Sequence, residues 1–594
     1  MLFRLVRRAA LAIAFVAACF PALAQTFPTV PSGTVIGRTA IGTGPSQEIP
    51  ITSLIASMLN PLTVTSVNTA SVVYRGATSG TATISAQAVA GTPVIKWPTT
   101  SGTVPTTATL PIVLNATTGV LSCPTCALTI DTRTAAAALN LSAYNVIRTG
   151  GYATAGDGGG ATFKNVGSTA FLDNYITSAS LTGGSGYTNG SYLGVPLTGA
   201  LTTGNCLAAI TVSGGAVTAV TTTMPCAASS VGSVLSTSNT YIGGTGSGFK
   251  WTVTAVSTPQ ASFTDSAGNH WQFVETEGST NALQFGCKGD WGGIGSDASS
   301  TNNSPCLWSA LAFVSLKSGW VGGYGGHLVI PKGAFMTCGQ FLASGFNLPI
   351  PQSVRVSGTS IFGTTLAECA ADTGSTHYVG LCDAVAKVGQ FGCKVENMTL
   401  YLWQVTTASA GIAAIYSNSG QQFALAENVE VDAYHRSCVK YETGAGGAAN
   451  DIWIGIDCVQ EGAATNPGFS FSALTSQHIL QRSVCASGPA GAAVCINNSG
   501  GRLIADGIDI EGYGTGLQYQ VTTSGVIGSY KNVQEQSGSC SQAIQLTASN
   551  LPGNLVIENI STGCPVTVLN QQSGGTNFTG NIVKQITCVS GACN

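Results

Sequence analysis

The sequence predicts an all-β chain whose C-terminal half is a solenoid of stacked coils. A short strand with alternating apolar residues recurs in six segments: VENMTLYLW (395–403), AENVEVDAY (426–434), NDIWIGIDC (450–458), ADGIDIEGY (505–513), YKNVQEQSG (530–538) and IENISTGC (557–564). A repeat of about 20–50 residues is typical of stacked units, none of which buries its apolar face alone. The 76 glycines among the 594 residues suit many short strands joined by tight turns.

An asparagine or another small polar residue begins most of these strands. We take seven residues as equivalent positions of successive coils: Asn397, Asn428, Asp451, Ser483, Gly507, Asn532 and Asn559. The spacings between them are 31, 23, 32, 24, 25 and 27 residues. Asparagine at this place suits either a hydrogen-bonded ladder between coils or a turn, and both are structural roles.

The first 24 residues have the pattern of a secretory signal peptide. Three arginines (Arg4, Arg7 and Arg8) precede an apolar run that ends in Ala22-Leu23-Ala24, so cleavage is expected before Gln25. The alternative is a short uncleaved membrane anchor. No later run approaches the roughly 18 apolar residues that span a bilayer. We therefore expect a secreted protein without a transmembrane segment in the mature chain, located extracellularly, at the cell surface or in the periplasm.

Removal of Cys19 with the signal peptide leaves 18 cysteines, an even number that predicts disulfides in an exported protein. A fold of consecutive local units favours sequential pairs. The expected pairs are Cys123–Cys126, Cys206–Cys226, Cys287–Cys306, Cys338–Cys369, Cys382–Cys393, Cys438–Cys458, Cys485–Cys495, Cys540–Cys564 and Cys588–Cys593. The CPTC sequence at 123–126 has no second CxxC, which favours a disulfide over a zinc or redox site.

Residues 25–130 are rich in Thr, Ser, Ala and Pro and nearly lack aromatic residues. The stretches VIGRTAIGTGPSQEIPITSL (35–54) and GATSGTATISAQAVAGTPVIKWPTTSGTV (76–104) resemble the attachment and shaft regions of phage tail fibres. The resemblance implies a fibre-like stalk of intertwined chains, commonly three, and hence a homotrimer. A disordered linker is the alternative, because the composition fits that class too.

Residues 131–280 are predicted to form a β-rich domain with glycine turns, in which an insertion lies between 151–166 and 263–275. The next segment, FGCKGDWGGIGSDASSTNNSPCLWSALAFVSLKSGWVGGYGGHLVIPKGAF (285–335), has a glycine-rich loop followed by Ser304 and Pro305 at a helix start. Leu307, Leu311 and Val314 then form one apolar stripe of that helix.

This segment resembles the pectate-lyase-like family of right-handed parallel β-helices, which includes phage tailspikes and is related to polygalacturonases. The chain keeps Phe285-Gly286, Lys288-Gly289-Asp290 and Ile330-Pro331-Lys332-Gly333 of the family pattern, and departs from it at Cys287 and Trp291. The resemblance implies a right-handed parallel β-helix over 281–594, with the helix as a cap over its N-terminal end.

The charge pattern excludes two classes of partner. Charged residues make up 8% of the chain and the formal net charge is −3, so no basic field attracts nucleic acid and no basic amphipathic helix attracts a membrane.

Acids and aromatic residues fall together on the predicted outward face of the coils. The strand alternation places there Thr399, Tyr401 and Trp403, then Glu430, Asp432 and Tyr434, then Trp453 and Asp457, and then Asp509, Glu511 and Tyr513. Aromatic rings cover the apolar faces of sugars, and carboxylates bind hydroxyl groups. This face therefore predicts a polysaccharide ligand.

Two pairs of acids, Glu430/Asp432 and Asp509/Glu511, are the candidate catalytic groups. Carboxyl groups about 5–9.5 Å apart can act as proton donor and as nucleophile or base at a glycosidic bond, in the manner of a tailspike depolymerase. His435, Arg436 and Lys440 are candidates to bind an acidic sugar or to act in acid–base catalysis. No cofactor is expected for hydrolysis; eliminative cleavage by a lyase would use calcium, with only Asp432 and Arg436 hinting at such a site.

Two other functions remain open. Outward residues of a solenoid face water and are often polar without a further role. The protein is then a non-catalytic glycan-binding adhesin, or a structural fibre protein derived from a phage.

Overall fold

A computed structural model gives the architecture. It describes residues 128–588 in part, and before Leu128 only the backbone of six short strands. The interruptions after Leu128 fall at 202–205, 223–225, 227–229, 276–277, 319–325, 342–345, 352, 373–376, 383–389, 403–412, 419–420, 443–449, 462–465, 473–476, 488–493, 500–501, 522–526, 536–541, 549–553, 563–565 and 568–581. The predicted signal peptide and most of the predicted stalk lie outside the described residues.

The chain divides into two units, Met1–Thr107 and Ala108–Asn594. The first unit contains two antiparallel pairs, β1 with β2 and β3 with β4, and the second begins with a third pair, β5 with β6. These strands are β1 Thr34–Gly37, β2 Gln47–Pro50, β3 Ser71–Arg75, β4 Thr81–Ser85, β5 Val113–Leu114 and β6 Leu121–Ser122.

Two sheets precede the solenoid in the second unit. A five-stranded sheet has the order β16-β17-β9-β8-β7, and a six-stranded antiparallel sheet, order β10-β15-β14-β11-β12-β13, is formed by the residues between β9 and β16. The strands are β7 Leu128–Thr132, β8 Val146–Gly151, β9 Thr162–Gly167, β10 Ile176–Tyr187, β11 Gly190–Gly199, β12 Cys206–Ser213, β13 Ala216–Thr222, β14 Val234–Ser236, β15 Gly244–Val256, β16 Phe263–Thr264 and β17 His270–Val274. Two short helices, α1 (Arg133–Ala137) and α2 (Asn239–Ile242), complete this part.

Helix α3 (Ser304–Ser318) lies at the start of the solenoid, as the sequence predicts. Its residues 309–314 are all buried, so the helix is apolar around most of its circumference and not along one stripe alone. One side contacts the first solenoid strands, and Phe313 packs against Phe273 of β17, with ring centroids 5.1 Å apart. The predicted cap is therefore itself covered by the five-stranded sheet, which explains why a helix this hydrophobic is stable there.

The solenoid is a parallel β-structure, which confirms the predicted fold class. Its strands form a 14-stranded sheet (β18, β19, β20, β22, β23, β25, β27, β29, β31, β32, β34, β36, β38 and β40) and a nine-stranded sheet (β21, β24, β26, β28, β30, β33, β35, β37 and β39). Each strand pairs in parallel with the strand one coil along, for example β25 with β27 and β27 with β29. A continuous hydrophobic core runs from Ile130 to Ile560.

The bounds of the solenoid strands follow the coils along the chain. The earlier strands are β18 Thr280–Asn281, β19 His327–Val329, β20 Gly333–Thr337, β21 Phe346–Pro349, β22 Arg355–Ser357, β23 Thr364–Glu368, β24 His377–Gly380, β25 Gln390–Leu402, β26 Ala413–Asn418, β27 Gln421–Tyr434, β28 Ser437–Glu442 and β29 Asn450–Glu461. The later strands are β30 Phe469–Phe471, β31 Gln477–Gln481, β32 Val484–Ser487, β33 Val494–Asn498, β34 Arg502–Glu511, β35 Thr515–Val521, β36 Ile527–Glu535, β37 Gln542–Ala548, β38 Asn554–Thr562, β39 Val566–Thr567 and β40 Ile582–Cys588.

In seven successive coils, from β25 to β38, one residue adopts a left-handed conformation at a bend of the 14-stranded sheet. These residues stack in register, with φ between 49° and 72°: Asn397, Asn428, Gly455, Arg482, Gly507, Asn532 and Asn559. Glycine and asparagine adopt this conformation most readily. The predicted equivalence of Asp451 and Ser483 was wrong, because Gly455 and Arg482 occupy the bend in those two coils.

The predicted asparagine ladder is present in this column wherever two asparagines, or an asparagine and an aspartate, lie on adjacent coils. Asn428 Nδ2 donates to Asn397 Oδ1 at 3.2 Å, and Asn559 Nδ2 donates to Asn532 Oδ1 at 3.1 Å. Asn532 Nδ2 donates in turn to Asp506 Oδ1 at 2.7 Å. The ladder links successive coils through side chains as well as through the backbone.

Six of the nine expected disulfides are confirmed. They are Cys206–Cys226, Cys287–Cys306, Cys338–Cys369, Cys382–Cys393, Cys438–Cys458 and Cys485–Cys495. The side chains of the other three pairs lie outside the described residues. Each bond spans 10 to 31 residues, so the covalent links are local, as sequential coils require.

We predict that Gly455→Ala destabilises the solenoid more than Gly392→Ala. Both glycines have φ near 60°, so alanine costs about 1–2 kcal/mol at either position. A Cβ on Gly455 would lie 2.9 Å from Asn428 Oδ1, whereas nothing lies within 4 Å of a Cβ on Gly392. Displacing Asn428 from Asn397 should add about 1 kcal/mol. Urea unfolding of the two variants measures the difference, and equal losses would contradict a stabilising ladder.

Candidate functional site

Two neighbouring coils present four carboxylates on one outward face, after the left-handed bend. Glu430 and Asp432 lie on β27, and Asp457 and Glu461 lie on β29. The bend determines their direction: after Asn428 the residues Val429, Val431 and Ala433 are buried, so the residues between them face outward. Each of the four acids is half-buried.

The strand register fixes which side chains are neighbours. Thr399 of β25 pairs with Glu430, and Glu430 pairs with Asp457. Two residues further along the strands, Tyr401 pairs with Asp432, and two residues beyond that Tyr434 pairs with Glu461. Neighbouring strands are about 4.8 Å apart and alternate residues of one strand about 6.7 Å apart. The backbone therefore places Asp432 and Asp457 next to Glu430, whereas Glu461 lies four residues beyond Asp457 on β29, opposite Tyr434.

Burial and neighbouring carboxylates raise the pKa values of two of these acids, Glu430 and Asp432. Burial raises the pKa of Glu430 to about 7, and the charges of Asp432 and Asp457 add to the effect, while a hydrogen bond from Thr399 Oγ1 at 3.2 Å opposes it. Burial, together with Asp457 and Glu461, raises the pKa of Asp432 to about 6. At neutral pH this places a carboxylic acid beside a carboxylate on the same strand.

An aromatic pair lies beside the acids. The ring of Trp291 packs against that of Tyr401, with centroids 5.3 Å apart and planes inclined by 50°. The loop that carries Trp291 is fixed, because the indole Nε1 donates to Asp297 Oδ1 at 3.2 Å and Asp297 Oδ2 accepts from Ala370 N at 2.8 Å. Burial raises the pKa of Tyr401, and the nearby charges of Asp432 and Glu461 raise it further.

Sequence reasoning missed Trp291 as a site residue. It was noticed only as a departure from the loop pattern before the capping helix. Trp291 is 110 residues from Tyr401 along the chain, and no periodicity connects the two. Its place directly after the Lys288-Gly289-Asp290 motif, where the chain departs from the family pattern, was the one available indication.

Three residues predicted to contact the sugar are buried inside the solenoid: Trp453 and Tyr513, which were expected on the outward face, and Arg436. Trp453 and Tyr513 have 0% and 1% of their surface exposed, and Arg436 has 2%. The bend at Gly455 lies two residues after Trp453, so Trp453 belongs to the segment before the bend, where odd-numbered positions face inward. Gly512, with φ 78°, turns Tyr513 into the core, where its hydroxyl donates to Gln460 Oε1 at 2.7 Å. None of the three can contact a ligand on the outer face.

Most of the remaining predicted residues lie on or near this face; Lys440 lies on β28 of the other sheet, and Trp403 lies outside the described residues. Asp509 and Glu511 face outward two coils below Asp457, and Val484 and Ala486 occupy the coil between. Tyr434 and His435 are half-buried at the end of β27, with ring centroids 4.2 Å apart.

The two cations predicted to bind a sugar, Arg436 and Lys440, are paired with acids elsewhere in the solenoid. Arg436 Nη1 forms an ion pair with Glu368 Oε2 inside the solenoid at 2.7 Å, and Lys440 Nζ on β28 pairs with Glu442 Oε1 at 2.5 Å. Among the described residues, no group of three or more His, Cys, Asp or Glu side chains is placed to hold a metal ion. In the same part of the chain, no helix is long and apolar enough to cross a membrane.

The chain is similar to solved β-helix structures, as the sequence resemblance predicts. One is the tailspike protein gp49 of Acinetobacter baumannii bacteriophage Fri1, a capsular polysaccharide depolymerase (11% identity, 78% of this chain and 67% of that chain, TM-score 0.43). Another is PfbA, a surface adhesin of Streptococcus pneumoniae (12% identity, 53% of this chain and 79% of that chain, TM-score 0.36). A third is tailspike protein 2 of bacteriophage CBA120 (10% identity, 56% of this chain and 49% of that chain, TM-score 0.29). No protein-family model and no curated protein sequence matches the chain.

We predict that Arg436→Leu strongly destabilises the protein, because Arg436 is part of the core even though it is close in sequence to the acids of the outward face. The substitution leaves Glu368 buried without its partner, which costs about 3–5 kcal/mol. Burial already raises the pKa of Glu368, to about 7, so protonation should relieve part of this cost below that pH. Urea unfolding at pH 8 and pH 5.5 tests both effects.

The double variant Glu368→Gln/Arg436→Leu is the control, and it should recover part of the stability at pH 8 because no charge is left buried. A single variant as stable as the parent at pH 8 would contradict the buried ion pair.

Proposed function

We propose that the protein is a polysaccharide-cleaving β-helix protein that hydrolyses a glycosidic bond at the face formed by Glu430, Asp432, Asp457 and Tyr401. The observation that carries the proposal is the pair Glu430 and Asp432, in which burial and neighbouring carboxylates raise both pKa values on one outward face beside an aromatic pair. Perturbed acids of this kind are typical of catalytic sites. Tyr401 and Trp291 supply apolar ring faces for the sugar.

The two acids take different roles in the proposed reaction. Glu430, with the higher pKa, donates its proton to the glycosidic oxygen as the bond from that oxygen to the anomeric carbon breaks. Asp432 removes a proton from water, whose oxygen forms the new bond to the anomeric carbon. The products are two shorter chains, one with a new reducing end. Alternate residues of a strand are about 6.7 Å apart, which fits the roughly 6.5–9.5 Å of inverting hydrolases.

The position of Arg436, the candidate base of a lyase, favours hydrolysis over eliminative cleavage. A lyase would need an arginine or lysine base at the substrate, and the candidate Arg436 is buried and paired with Glu368. Export and assembly into a homotrimer, expected from residues 1–130, belong to the proposal as well. Glycan binding without cleavage, as in an adhesin, is the second candidate, and the experiment below separates the two.

We predict that Glu430→Gln and Asp432→Asn each reduce cleavage at least about 1,000-fold, because each removes one of two groups that act in the same step. New reducing ends released from a panel of bacterial polysaccharides provide the measurement. Asp509→Asn/Glu511→Gln is the comparison variant. It tests the other acid pair, which should matter less, since it lies four coils away from Tyr401.

Loss of cleavage only in the Asp509→Asn/Glu511→Gln variant would move the site to that pair. Binding of a polysaccharide with no cleavage by the parent protein would make the protein a glycan-binding module.

We predict a narrow bell-shaped dependence of kcat/KM on pH, with its maximum between about pH 6 and pH 7. Activity should rise as Asp432, with a pKa of about 6, loses its proton, and fall as Glu430, with a pKa of about 7, loses the proton that it donates. The two apparent values belong to the interacting pair. Initial rates from pH 4.5 to pH 9 measure the profile, and a rate that keeps rising above pH 8 would contradict Glu430 as the acid.

A further inference from the structure

We infer that the polysaccharide bound at this face carries carboxylate groups, and that Arg482 binds one of them two coils beyond Glu430. The inference rests on the proposed function and names the substrate class of the same site. It follows from the backbone conformation of this arginine and from its place in the solenoid.

Arg482 differs from the other residues in the column of left-handed bends. Asparagine occupies the bend in four of these seven coils and glycine in two, and both adopt the left-handed conformation readily. Arginine has a Cβ and a long side chain, yet its φ is 49°. A bulky residue in this conformation costs free energy, and strained residues of this kind cluster at binding and active sites.

The register of the strands places Arg482 along the same outward face as the acids. Val484 lies two residues after Arg482 and pairs with Asp457 of the preceding coil. Asp457 in turn pairs with Glu430. Because neighbouring strands are about 4.8 Å apart, the coil of Arg482 lies about 10 Å from Glu430 along the solenoid. A glycan chain that runs from Glu430 along this face reaches that coil within a few sugar residues.

The side chain of Arg482 is presented to solvent at the bend. Its neighbours in the column are Gly455 and Gly507, which carry no side chain with which it could extend the asparagine ladder. Its Cγ lies 3.9 Å from the place that a Cβ on Gly507 would occupy, so its stem crosses over that glycine. Arg482 as a whole is exposed, which leaves its guanidinium accessible to a ligand.

A guanidinium matches a carboxylate in both shape and charge. It keeps its positive charge throughout the neutral range and donates two parallel hydrogen bonds to the two carboxylate oxygens. Arg436 and Lys440, which the sequence predicts for an acidic sugar, are paired elsewhere in the solenoid. Arg482 takes that role in this proposal, at a distance that keeps the bound carboxylate away from Glu430.

The test uses one polysaccharide in two charge states. The carboxyl groups of an acidic polysaccharide that the full-length protein binds are reduced chemically to primary alcohols, which leaves a neutral chain with the same linkages. We expect the acidic form to bind at least about tenfold more tightly than the reduced form, because reduction removes the charge-assisted hydrogen bonds to the guanidinium.

Three variants localise this preference. Arg482→Met keeps a stem over Gly507 without the charge, and should reduce the preference to about twofold or less. Arg482→Lys keeps the charge without the planar fork, and should retain part of the preference. Arg502→Met is the matched control, since Arg502 is exposed on β34 five residues before Gly507, on the other side of the bend. It should leave the preference unchanged.

Unfolding by urea separates a binding role from a structural one. Arg482→Asn introduces the residue that four other coils have at the bend, and should raise the urea midpoint because it relieves the strain. Arg482→Met retains the strain and should not raise the midpoint. A lower midpoint for Arg482→Asn would show that the arginine serves the fold, and would overturn the inference.

The binding outcomes distinguish the two proposals. Equal binding of the acidic and reduced forms, an undiminished preference in Arg482→Met, or binding of neutral polysaccharides alone would overturn the inference while the proposed function stands. Failure of the full-length protein to bind or cleave any acidic or neutral polysaccharide would overturn the proposed function itself.

Discussion

The left-handed residue that bends each coil is the constraint on which the rest of the structure depends. In a strand the side chains alternate between core and solvent, so a bend at a fixed place resets which residues face inward. Asn397, Asn428 and Gly455 occupy this place in the three coils of the site. Because the coils pair in register, the residues two and four positions after the bend become outward columns, and side chains distant in sequence become neighbours.

Much of the fold could be predicted from the sequence because the repeat and the alternation are local patterns. The stacked coils and six sequential disulfides follow from them, while the parallel β-helix and the capping position of the helix were implied by the family resemblance. The outward placement of Glu430, Asp432 and Tyr401 follows too, since these residues come directly after asparagines that do occupy the bend.

The errors arose where the bend residue is not an asparagine. The bend requires a left-handed backbone conformation, which glycine adopts as readily as asparagine. The sequence therefore did not distinguish Gly455 from the other glycines of this chain. Taking Asp451 as the bend residue shifted the predicted alternation of inward and outward side chains, so Trp453 was predicted to face outward although it is buried. Trp291 could not be placed by any local pattern, since its contact with Tyr401 exists only after the loop folds back onto the coils.

The acids of the outward face differ from the other acids of the solenoid in the groups that surround them. Inside, Glu368 meets Arg436, and Asp451 accepts hydrogen bonds from Ser417 Oγ and Ala424 N, each at 3.2 Å. Before the bend, Glu396 and Glu427 share Lys394. Like charges on adjacent strands destabilise a sheet by roughly 0.2–1 kcal/mol for each pair. Glu368, Glu396 and Glu427 each meet a cation, whereas Glu430 and Asp432 lie beside other carboxylates, which is a departure from this local rule. Such departures are characteristic of functional sites, and this one supports assigning the chemistry to Glu430 and Asp432.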